Sequence, residues 1–258
     1  MKYIDKYSWR SFLSTQSKTV LEQDGIFCWR TRKNNQLSSD HLLTDADIPL
    51  LQSLTPFNFF YFDPKDVELL KNSGFNVKAR KDPDITIPIK HMSLAGKKFK
   101  GLRGSINKAE KYELTIQDHY NNYDDVLEML KRWSDTSGCK HFQDRSSKHK
   151  YFFKENLEKD CINIFMYDKE KLASFAVISP PDNSKCASYV IGKSLCFFYP
   201  GLSEFTDWVA YEKAALKGVE YVSLGGGGKS MRNYKMKFPG AFTLESYDGS
   251  AELEGENK

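Results

Sequence analysis

The sequence predicts an α/β fold in which mixed sheets are flanked by helices, and two observations support this prediction. Segments with apolar residues at helical spacing alternate along the chain with short segments of strand type. Such alternation is typical of sheets covered by helices. The length of 258 residues suits two small domains or one duplicated fold. From the order of the elements we expect two related halves, residues 1–112 and 113–258.

The first half is expected to form strands and helices that precede a basic helix. Strands are predicted at residues 25–30, 57–62, 75–80 and 85–89, and helices at 44–54 and 64–74. Pro64 favours a helix start, because its missing amide hydrogen would have no partner in the first turn. The basic helix, residues 96–112, then leads into the second half.

The second half begins with a predicted strand at 113–117 and a helix at 122–137, where apolar residues recur every three or four positions. A more polar helix is expected at 147–159. Residues 161–167 and 172–178 flank a short polar turn, so they predict a hairpin.

The remaining elements continue the alternation to the end of the chain. A strand at 186–192 is followed by a helix that Ser203 can cap and that Gly218 ends. Next we expect a strand at 219–224, a glycine-rich turn, a short helix near 231–237 and a strand at 241–247. The acidic tail after Asp248 is expected to be frayed.

Composition favours a soluble cytoplasmic protein. Hydrophobic residues make up 40% of the chain, and the net charge is only +4. No apolar run approaches the roughly 20 residues that span a bilayer, and the N-terminus has no apolar leader. The 5 cysteines include no C-x-x-C pair, which indicates reduced thiols. Cys139, His141 and His149 match no standard zinc spacing, so no metal is expected.

The basic helix combines an apolar stripe with a dense positive face. Phe99, Leu102, Ile106 and Ala109 form the stripe, and the other positions include six cations and a single acidic residue. Such a face is suited to phosphate or another polyanion, although a solvated basic helix would look the same. The candidate binding residues are Lys100, Arg103, Asn107 and Lys108. Arg103 and Asn107 lie four positions apart and share a face, where they could bind phosphate and ribose or form a cap or salt bridge.

A second basic segment, residues 224–239, reads LGGGGKSMRNYKMKFP. A nucleotide-binding P-loop would need glycine at position 223, where the chain has Ser223. Gly226 and Gly227 would let a substrate approach the backbone, or they simply form a flexible turn. The cations of this segment are binding candidates, with surface charge as the alternative: Lys229, Arg232, Lys235 and Lys237.

These two segments carry a family resemblance. Residues 96–112 resemble the GKKFKKLR…N…EK motif of the phosphatidylglycerol lysyltransferase C-terminal domain (DUF2156). Residues 224–239 resemble the LGG…L..FK.KF ending that this family shares with Fem-type peptidoglycan aminoacyltransferases. The element order over 113–247 is similar to the GCN5-related N-acetyltransferase (GNAT) fold. The resemblance implies a tandem GNAT-like (acyl-CoA N-acyltransferase) fold. It also implies transfer of an amino acid from aminoacyl-tRNA to an amine or hydroxyl.

The resemblance also implies roles for particular residues. Lys235 aligns with a lysine that Fem-type enzymes place near the aminoacyl ester, where a cation can hold a phosphate or stabilise the oxyanion. Tyr189, Tyr199 and Asp207 flank the point where a GNAT sheet opens into the acceptor cleft. We therefore take Lys235, Tyr199 and Asp207 as catalytic candidates and Tyr189 as a binding candidate. Core packing or turn formation is the alternative for the tyrosines and Asp207. Aminoacyl-tRNA would be a co-substrate, and no other cofactor is expected.

Two other functions remain open at this point. An acyl-CoA-dependent N-acyltransferase would bind CoA phosphates with the same cations. Residues 192–201 nevertheless lack the closely spaced glycines of the usual CoA loop. A non-catalytic nucleic-acid-binding module would keep the basic surface without turnover. The expected partners are the tRNA acceptor end and an amine or hydroxyl acceptor, and the basic face is also suited to a peripheral membrane contact.

Overall fold

A computed structural model describes residues 20–254 apart from 24, 31–34, 40–41, 137–151, 155, 157 and 180–184. Cys139, His141 and His149 lie outside the described residues, as does most of the helix predicted at 147–159.

The helices follow the predicted order with small differences at their ends. They are α1 (Ile48–Ser53), α2 (Pro64–Asn72), α3 (Lys100–Glu110), α4 (Tyr123–Thr136), α5 (Leu202–Leu216) and α6 (Lys229–Lys235), with 3-10 turns at Asp45–Asp47 and Lys97–Phe99. Pro64 opens α2 as predicted, and the Asp63 side chain accepts a hydrogen bond from the Lys65 amide at 3.0 Å.

The start of α5 differs from the prediction for a physical reason. The residue at the N-cap is Gly201 with φ 91°, so the prediction of Ser203 as the cap is wrong. A Cβ atom on Gly201 would lie 2.3 Å from the backbone oxygen of Ser105. Only glycine therefore allows α5 to begin in direct contact with the basic helix α3.

The strands form two sheets. One sheet has the order β1 (Val20–Gln23), β2 (Ile26–Arg30), β3 (Asn35–Ser39), β4 (Phe57–Phe62), β13 (Tyr247–Leu253) and β5 (Phe75–Lys81). The other has the order β12 (Phe242–Leu244), β6 (Asp84–Pro88), β11 (Tyr221–Ser223), β10 (Cys186–Ser194), β9 (Lys171–Ile178), β8 (Ile162–Asp168) and β7 (Thr115–Gln117). The predicted hairpin, β8 and β9, is confirmed.

The expectation of a frayed tail after Asp248 is wrong for residues 249–253, because they belong to β13, an interior strand, while residues 255–258 lie outside the described residues. It pairs antiparallel with β4 on one side and with β5 on the other. Its pairing with β5 runs from Tyr247 opposite Lys81 to Leu253 opposite Phe75. Backbone hydrogen bonds to two neighbours hold this polar segment in place, which side-chain hydropathy does not reveal.

The chain passes between the two sheets at two adjacent places. It leaves the six-stranded sheet between β5 and β6 and returns between β12 and β13. The Asp82 amide donates to the Ser246 oxygen at 2.9 Å, so the two crossings are joined directly. Each sheet thus contains one strand from the other predicted half, and the boundary between residues 112 and 113 stays a prediction.

Three apolar cores lie against these sheets. The basic helix buries Leu102, Ile106 and Ala109 as predicted, and with α5 it covers one face of the seven-stranded sheet. The opposite face packs against α4 through Val126 and Leu130. Helices α1 and α2 cover the six-stranded sheet.

A gap opens in the seven-stranded sheet between β10 and β11. The two strands pair in parallel only as far as Ser188 opposite Ser223, whereas β10 continues along β9 to Ser194. The register shifts between Tyr189 and Ile191, which is where β10 bends away from β11. This is the opening that the resemblance predicted, and it positions the residues described next.

Gly249 tests the interior position of β13. A Cβ atom there would lie 2.3 Å from the Lys78 oxygen and 2.6 Å from the Phe59 ring. We expect Gly249→Ala to lower the free energy of unfolding by roughly 2–3 kcal/mol, measured by urea denaturation. Gly104→Ala is the control, because nothing lies within 4 Å of its Cβ position in α3, and it should raise stability by up to about 1 kcal/mol. Equal effects of the two substitutions would contradict the assignment.

Candidate active site

Helix α6 lies at the gap and supplies two neighbouring side chains to two polar clusters. Tyr234 reaches a cluster on the α5 side of the sheet, and Lys235 reaches the turn at residues 224–228, which we call the glycine turn. Because the two side chains are adjacent in sequence, one short helix links both clusters.

The Lys235 ammonium group holds the glycine turn in place. Its Nζ donates to the backbone oxygens of Leu224 at 2.5 Å, of Gly225 at 2.7 Å and of Gly226. An ammonium group has three hydrogens, so these bonds use all of its donors. The side chain is only 9% exposed, and burial lowers the pKa of Lys235 to about 8. Lys235 is therefore a buried structural cation in this structure.

Two side chains lie against the other side of the glycine turn: Tyr61 of the six-stranded sheet and Asp82 of the segment that connects β5 with β6. A Cβ atom on Gly226 would lie 2.5 Å from the Asp82 carboxylate, and one on Gly225 would lie 3.2 Å from the Tyr61 hydroxyl. The Gly227 amide lies 3.4 Å from Asp82 Oδ1. Side chains of the protein itself therefore occupy the space beside Gly226, where a substrate was predicted, while Gly227 is exposed.

One buried and one half-buried carboxylate, Asp84 and Asp248, lie near this turn. Asp84 Oδ2 accepts a hydrogen bond from Ser223 Oγ at 2.7 Å, and burial raises the pKa of Asp84 to about 6. Asp248 Oδ1 accepts from the Tyr61 amide at 3.1 Å, and burial raises the pKa of Asp248 to about 6 as well. Both carboxyl groups can thus change protonation close to neutral pH.

The second cluster brings together two predicted residues, Asp207 and Tyr189. Asp207 is buried in α5, and its two oxygens accept hydrogen bonds from the hydroxyls of Tyr189 at 2.5 Å and of Tyr234 at 2.8 Å. Burial raises the pKa of Asp207 to about 6. Tyr234 was missed from the sequence, where its place beside Lys235 was the only signal.

Arg103 and its neighbours on the basic helix occupy different environments. The Arg103 guanidinium donates to the backbone oxygens of Leu94 and Gly96, so it pins the preceding loop to α3. Lys100, Asn107 and Lys108 are exposed on this helix.

The two basic segments meet at a cavity of about 440 Å³. The residues that line it are Lys98, Phe99, Gly101, Leu102, Ser105, Glu204, Met236 and Lys237. Lys237 Nζ lies 2.9 Å from Glu204 Oε1, and both Lys98 and Lys237 are exposed. The two basic segments thus meet through Lys98 and Lys237. Lys98 was not among the selected residues, and Arg103 and Lys235 bond to backbone oxygens instead.

The remaining cations of the second segment are on α6. Lys229 is exposed at the first position of the helix, and Arg232 is half-buried in its middle. Neither lines the cavity between the basic segments.

Tyr199 lies in the loop that precedes α5, and its hydroxyl bonds to a different carboxylate than Asp207. Its hydroxyl donates to Asp168 Oδ2 at 2.6 Å, and its ring packs edge-on against Tyr112 with centroids 5.4 Å apart. Burial raises the pKa of Tyr199 to about 12. These contacts tie the loop to the β8–β9 turn and to the end of the basic helix.

The loop that would hold CoA phosphates in an ordinary GNAT enzyme is closed on itself. The amides of Phe198 and Tyr199 donate to the Leu195 oxygen at 2.9 and 3.0 Å, and the Leu202 amide donates to the Tyr199 oxygen at 3.0 Å. These amides are therefore not available to a phosphate.

Among the described residues, no helix is both long and apolar enough to cross a bilayer.

Comparison with known proteins supports the motif resemblance. The sequence model of the family described as phosphatidylglycerol lysyltransferase, C-terminal, matches residues 51–237. This range includes the whole first basic segment and most of the second. No curated protein sequence matches the chain.

Solved structures agree with the fold. The structure of L-PGS from Bacillus licheniformis has a TM-score of 0.67 at 12% identity, over 97% of this chain and 92% of that one. FemX has a TM-score of 0.60 at 10% identity, over 93% and 90%. A GCN5-related N-acetyltransferase from Kribbella flavida has a TM-score of 0.52 at 9% identity, over 96% and 93%. The GNAT-like α/β fold with two mixed sheets flanked by helices is confirmed.

Lys235→Met tests the structural role of the buried ammonium group. The substitution leaves three backbone oxygens without a donor, so we expect the free energy of unfolding to fall by roughly 2–4 kcal/mol in urea titrations. Lys229→Met removes an exposed cation from the same helix and should change stability by less than about 0.5 kcal/mol. A similar loss in both variants would contradict the role assigned to Lys235.

Asp207→Asn tests the buried carboxylate through the pH dependence of stability. The pKa of Asp207 in the folded protein is about 6, above the ordinary value of 3.8. Between these two pH values the folded protein holds a proton that the unfolded chain has lost, so the free energy of unfolding falls as the pH rises. A shift of this size corresponds to about 3 kcal/mol. Unfolding titrations from pH 4 to pH 7 should show a weaker loss for Asp207→Asn than for the parent protein. Parallel curves would exclude the raised pKa.

Proposed function

The chain belongs to the phosphatidylglycerol lysyltransferase C-terminal family, and from this premise we propose that it is an aminoacyltransferase that uses aminoacyl-tRNA. The acceptor would be an amine or hydroxyl on a lipid head group, a peptide or a small molecule. Membership in a family of transferases supports acyl transfer in general. The choice of donor rests on the arrangement of the basic segments.

The observation that carries the proposal is the cavity between the two basic segments. Lys98 comes from the first segment and Lys237 from the second, and both line the same space of about 440 Å³. Two exposed ammonium groups at one opening suit the phosphates of a tRNA acceptor end. The half-buried Phe99 ring lines the same cavity and offers an apolar surface to a base.

The proposed reaction is aminolysis or alcoholysis of an ester. The acceptor nitrogen or oxygen attacks the ester carbonyl carbon, a new C–N or C–O bond forms, and the bond to the ribose oxygen breaks. The acceptor loses a proton, and the ribose oxygen gains one. Holding an activated ester beside the acceptor supplies much of the rate.

Asp207 is suited to accept the proton that the acceptor loses. It is a buried carboxylate whose pKa is raised to about 6 by burial, and it is bonded to two tyrosine hydroxyls beside the gap. Such a group can accept a proton near neutral pH. Lys235 acts indirectly, by holding the glycine turn at the edge of the gap.

The structure offers less support for an acyl-CoA donor. The amides of the loop before α5 bond to the loop itself, and Gly201 packs against the backbone of Ser105. The amides of Phe198, Tyr199 and Leu202 are therefore not offered to a CoA pyrophosphate at its usual place. A peripheral membrane contact through the basic face remains part of the proposal for a lipid acceptor.

Transfer can be tested with tRNA charged with labelled amino acids, mixed with purified protein and a cell extract as the acceptor source. We expect label to move to a non-tRNA product. The double variant Lys98→Ala with Lys237→Ala should lower kcat/KM at least about tenfold. The slope of log kcat/KM against log salt concentration should become shallower by about one to two, because two phosphate contacts are lost.

The matched control is Lys90→Ala with Lys185→Ala. These exposed lysines form ion pairs with Glu220 at 2.8 and 3.0 Å and do not line the cavity, so their removal should leave transfer unchanged. Turnover of a CoA thioester without transfer from any charged tRNA would overturn the proposal.

A further inference from the structure

The loop that precedes α5 exposes two consecutive phenylalanines to solvent. The side chain of Phe197 is 75% exposed and that of Phe198 is 49% exposed. Their rings pack edge to face, with centroids 5.4 Å apart. Single exposed apolar residues are common on protein surfaces, whereas two large neighbouring rings form an apolar patch. Such a patch indicates a surface that contacts something other than water.

The rest of the loop holds these rings in a fixed position. Leu195 is buried in the core that contains α4, and its backbone oxygen accepts from the Phe198 amide at 2.9 Å. The Arg132 guanidinium of α4 lies over the Phe198 ring, 5.4 Å from its centroid. Tyr199 joins the other end of the loop to Asp168 of the β8–β9 turn. The rings are therefore exposed on a loop that the sheet and α4 support.

Cations outnumber acidic residues around the aromatic pair. Besides Arg132, α4 brings the Trp133 ring, and Lys193 of β10 lies 4.6 Å from its centroid. The hydroxyl of Tyr112, at the end of the basic helix, donates to the Pro200 oxygen at 3.3 Å. The loop and the stretches in contact with it, residues 111–112, 131–133, 168–171 and 193–199, contain the cations Lys111, Lys131, Arg132, Lys169, Lys171 and Lys193 and the acids Asp168 and Glu170.

A bilayer with anionic head groups fits this combination better than a second copy of the chain or RNA. A two-fold contact between copies would place the same cations opposite each other around the rings. Unpaired bases stack on open aromatic faces, whereas these two rings are nearly perpendicular, at 86°, and Arg132 covers a face of Phe198. Aromatic rings can instead enter the boundary between head groups and acyl chains while cations contact the lipid phosphates.

We propose that residues 196–198 insert into the head-group region of an anionic membrane, with the surrounding cations bound at its surface. This contact differs from one made by the basic face alone, because apolar insertion persists where salt screens the charges. Gly201 follows shortly after the inserted rings and packs on Ser105, which lines the cavity between the basic segments. The inserted loop therefore keeps that cavity near the membrane surface.

Vesicle binding tests the proposal without tRNA or an acceptor. The full chain is sedimented with vesicles of phosphatidylcholine alone, and with vesicles that also contain either phosphatidylglycerol or phosphatidylserine. We expect binding to both anionic vesicles, at similar strength, because charge rather than one head group attracts the cations. Added salt should weaken this binding without abolishing it, because the insertion of the rings is apolar.

The double variant Phe197→Ser with Phe198→Ser should weaken binding to both anionic vesicles at least about tenfold, because two apolar rings no longer leave water. Lys111→Ala with Lys171→Ala should weaken it several-fold and reduce its salt dependence. Leu216→Ser is the matched control. Leu216 is 88% exposed at the last residue of α5, about 20 Å along the helix from the loop, and its substitution should leave binding unchanged.

Phe197→Trp gives a second measurement that does not depend on a loss of binding. We expect brominated lipids in anionic vesicles to quench the added tryptophan fluorescence, relative to the parent protein, because the ring lies among the lipids. Leu216→Trp should show no such added quenching. This comparison carries the test if the double serine variant does not fold.

Three results would overturn the proposal. They are equal vesicle binding by the parent and the double serine variant, binding to phosphatidylglycerol vesicles only, and a loss of self-association or of tRNA binding in that variant while no vesicle is bound. The inference does not rest on the proposed donor. Transfer from charged tRNA without vesicle binding that depends on the rings overturns the membrane contact alone, and the reverse result contradicts the proposed function alone.

Discussion

The Lys235 ammonium group lies where only hydrogen bonds can offset the loss of water around its charge. Three backbone oxygens of the glycine turn provide those bonds, and Asp84 and Asp82 supply opposite charge. The glycine turn packs beside the place where the chain passes between the two sheets, and there a hydrogen bond between Asp82 and Ser246 joins the two chain segments. The shape of the region around the gap thus depends on this single buried cation.

Helix α6 links the buried Lys235 to a second polar cluster. Its neighbouring residues Tyr234 and Lys235 bond to polar clusters at the gap, one around Asp207 and one around the glycine turn. Any movement of this seven-residue helix would disturb both clusters together. Buried polar networks of this kind are strong when complete and costly when broken. Among the described residues, Oδ1 of Asp84 and Oγ1 of Thr86 have no hydrogen-bond partner, although they lie beside a cluster that is otherwise well bonded.

The basic residues divide into two groups with different roles. Arg103 and Lys235 bond to backbone oxygens and stabilise the fold, whereas Lys98 and Lys237 remain exposed at one cavity. Both groups come from the same two segments of sequence. Lys237 pairs with Glu204 through one exposed ion pair, and an ammonium group has three donors, so the second group is the better suited to contact a polyanion. The family motifs hence combine residues that build the site with residues that face its ligand.

The sequence by itself determined the alternation of strands and helices, the buried stripe of α3, the β8–β9 hairpin and the two motif segments, because these follow from spacing along the chain. It also brought forward Asp207 and Tyr189, which the structure joins. Only the tertiary structure decided that β13 lies between β4 and β5, that Lys235 is buried while Lys237 is exposed, and that Asp84 and Thr86 face Ser223. These features depend on pairing and burial between distant segments, to which local spacing is blind.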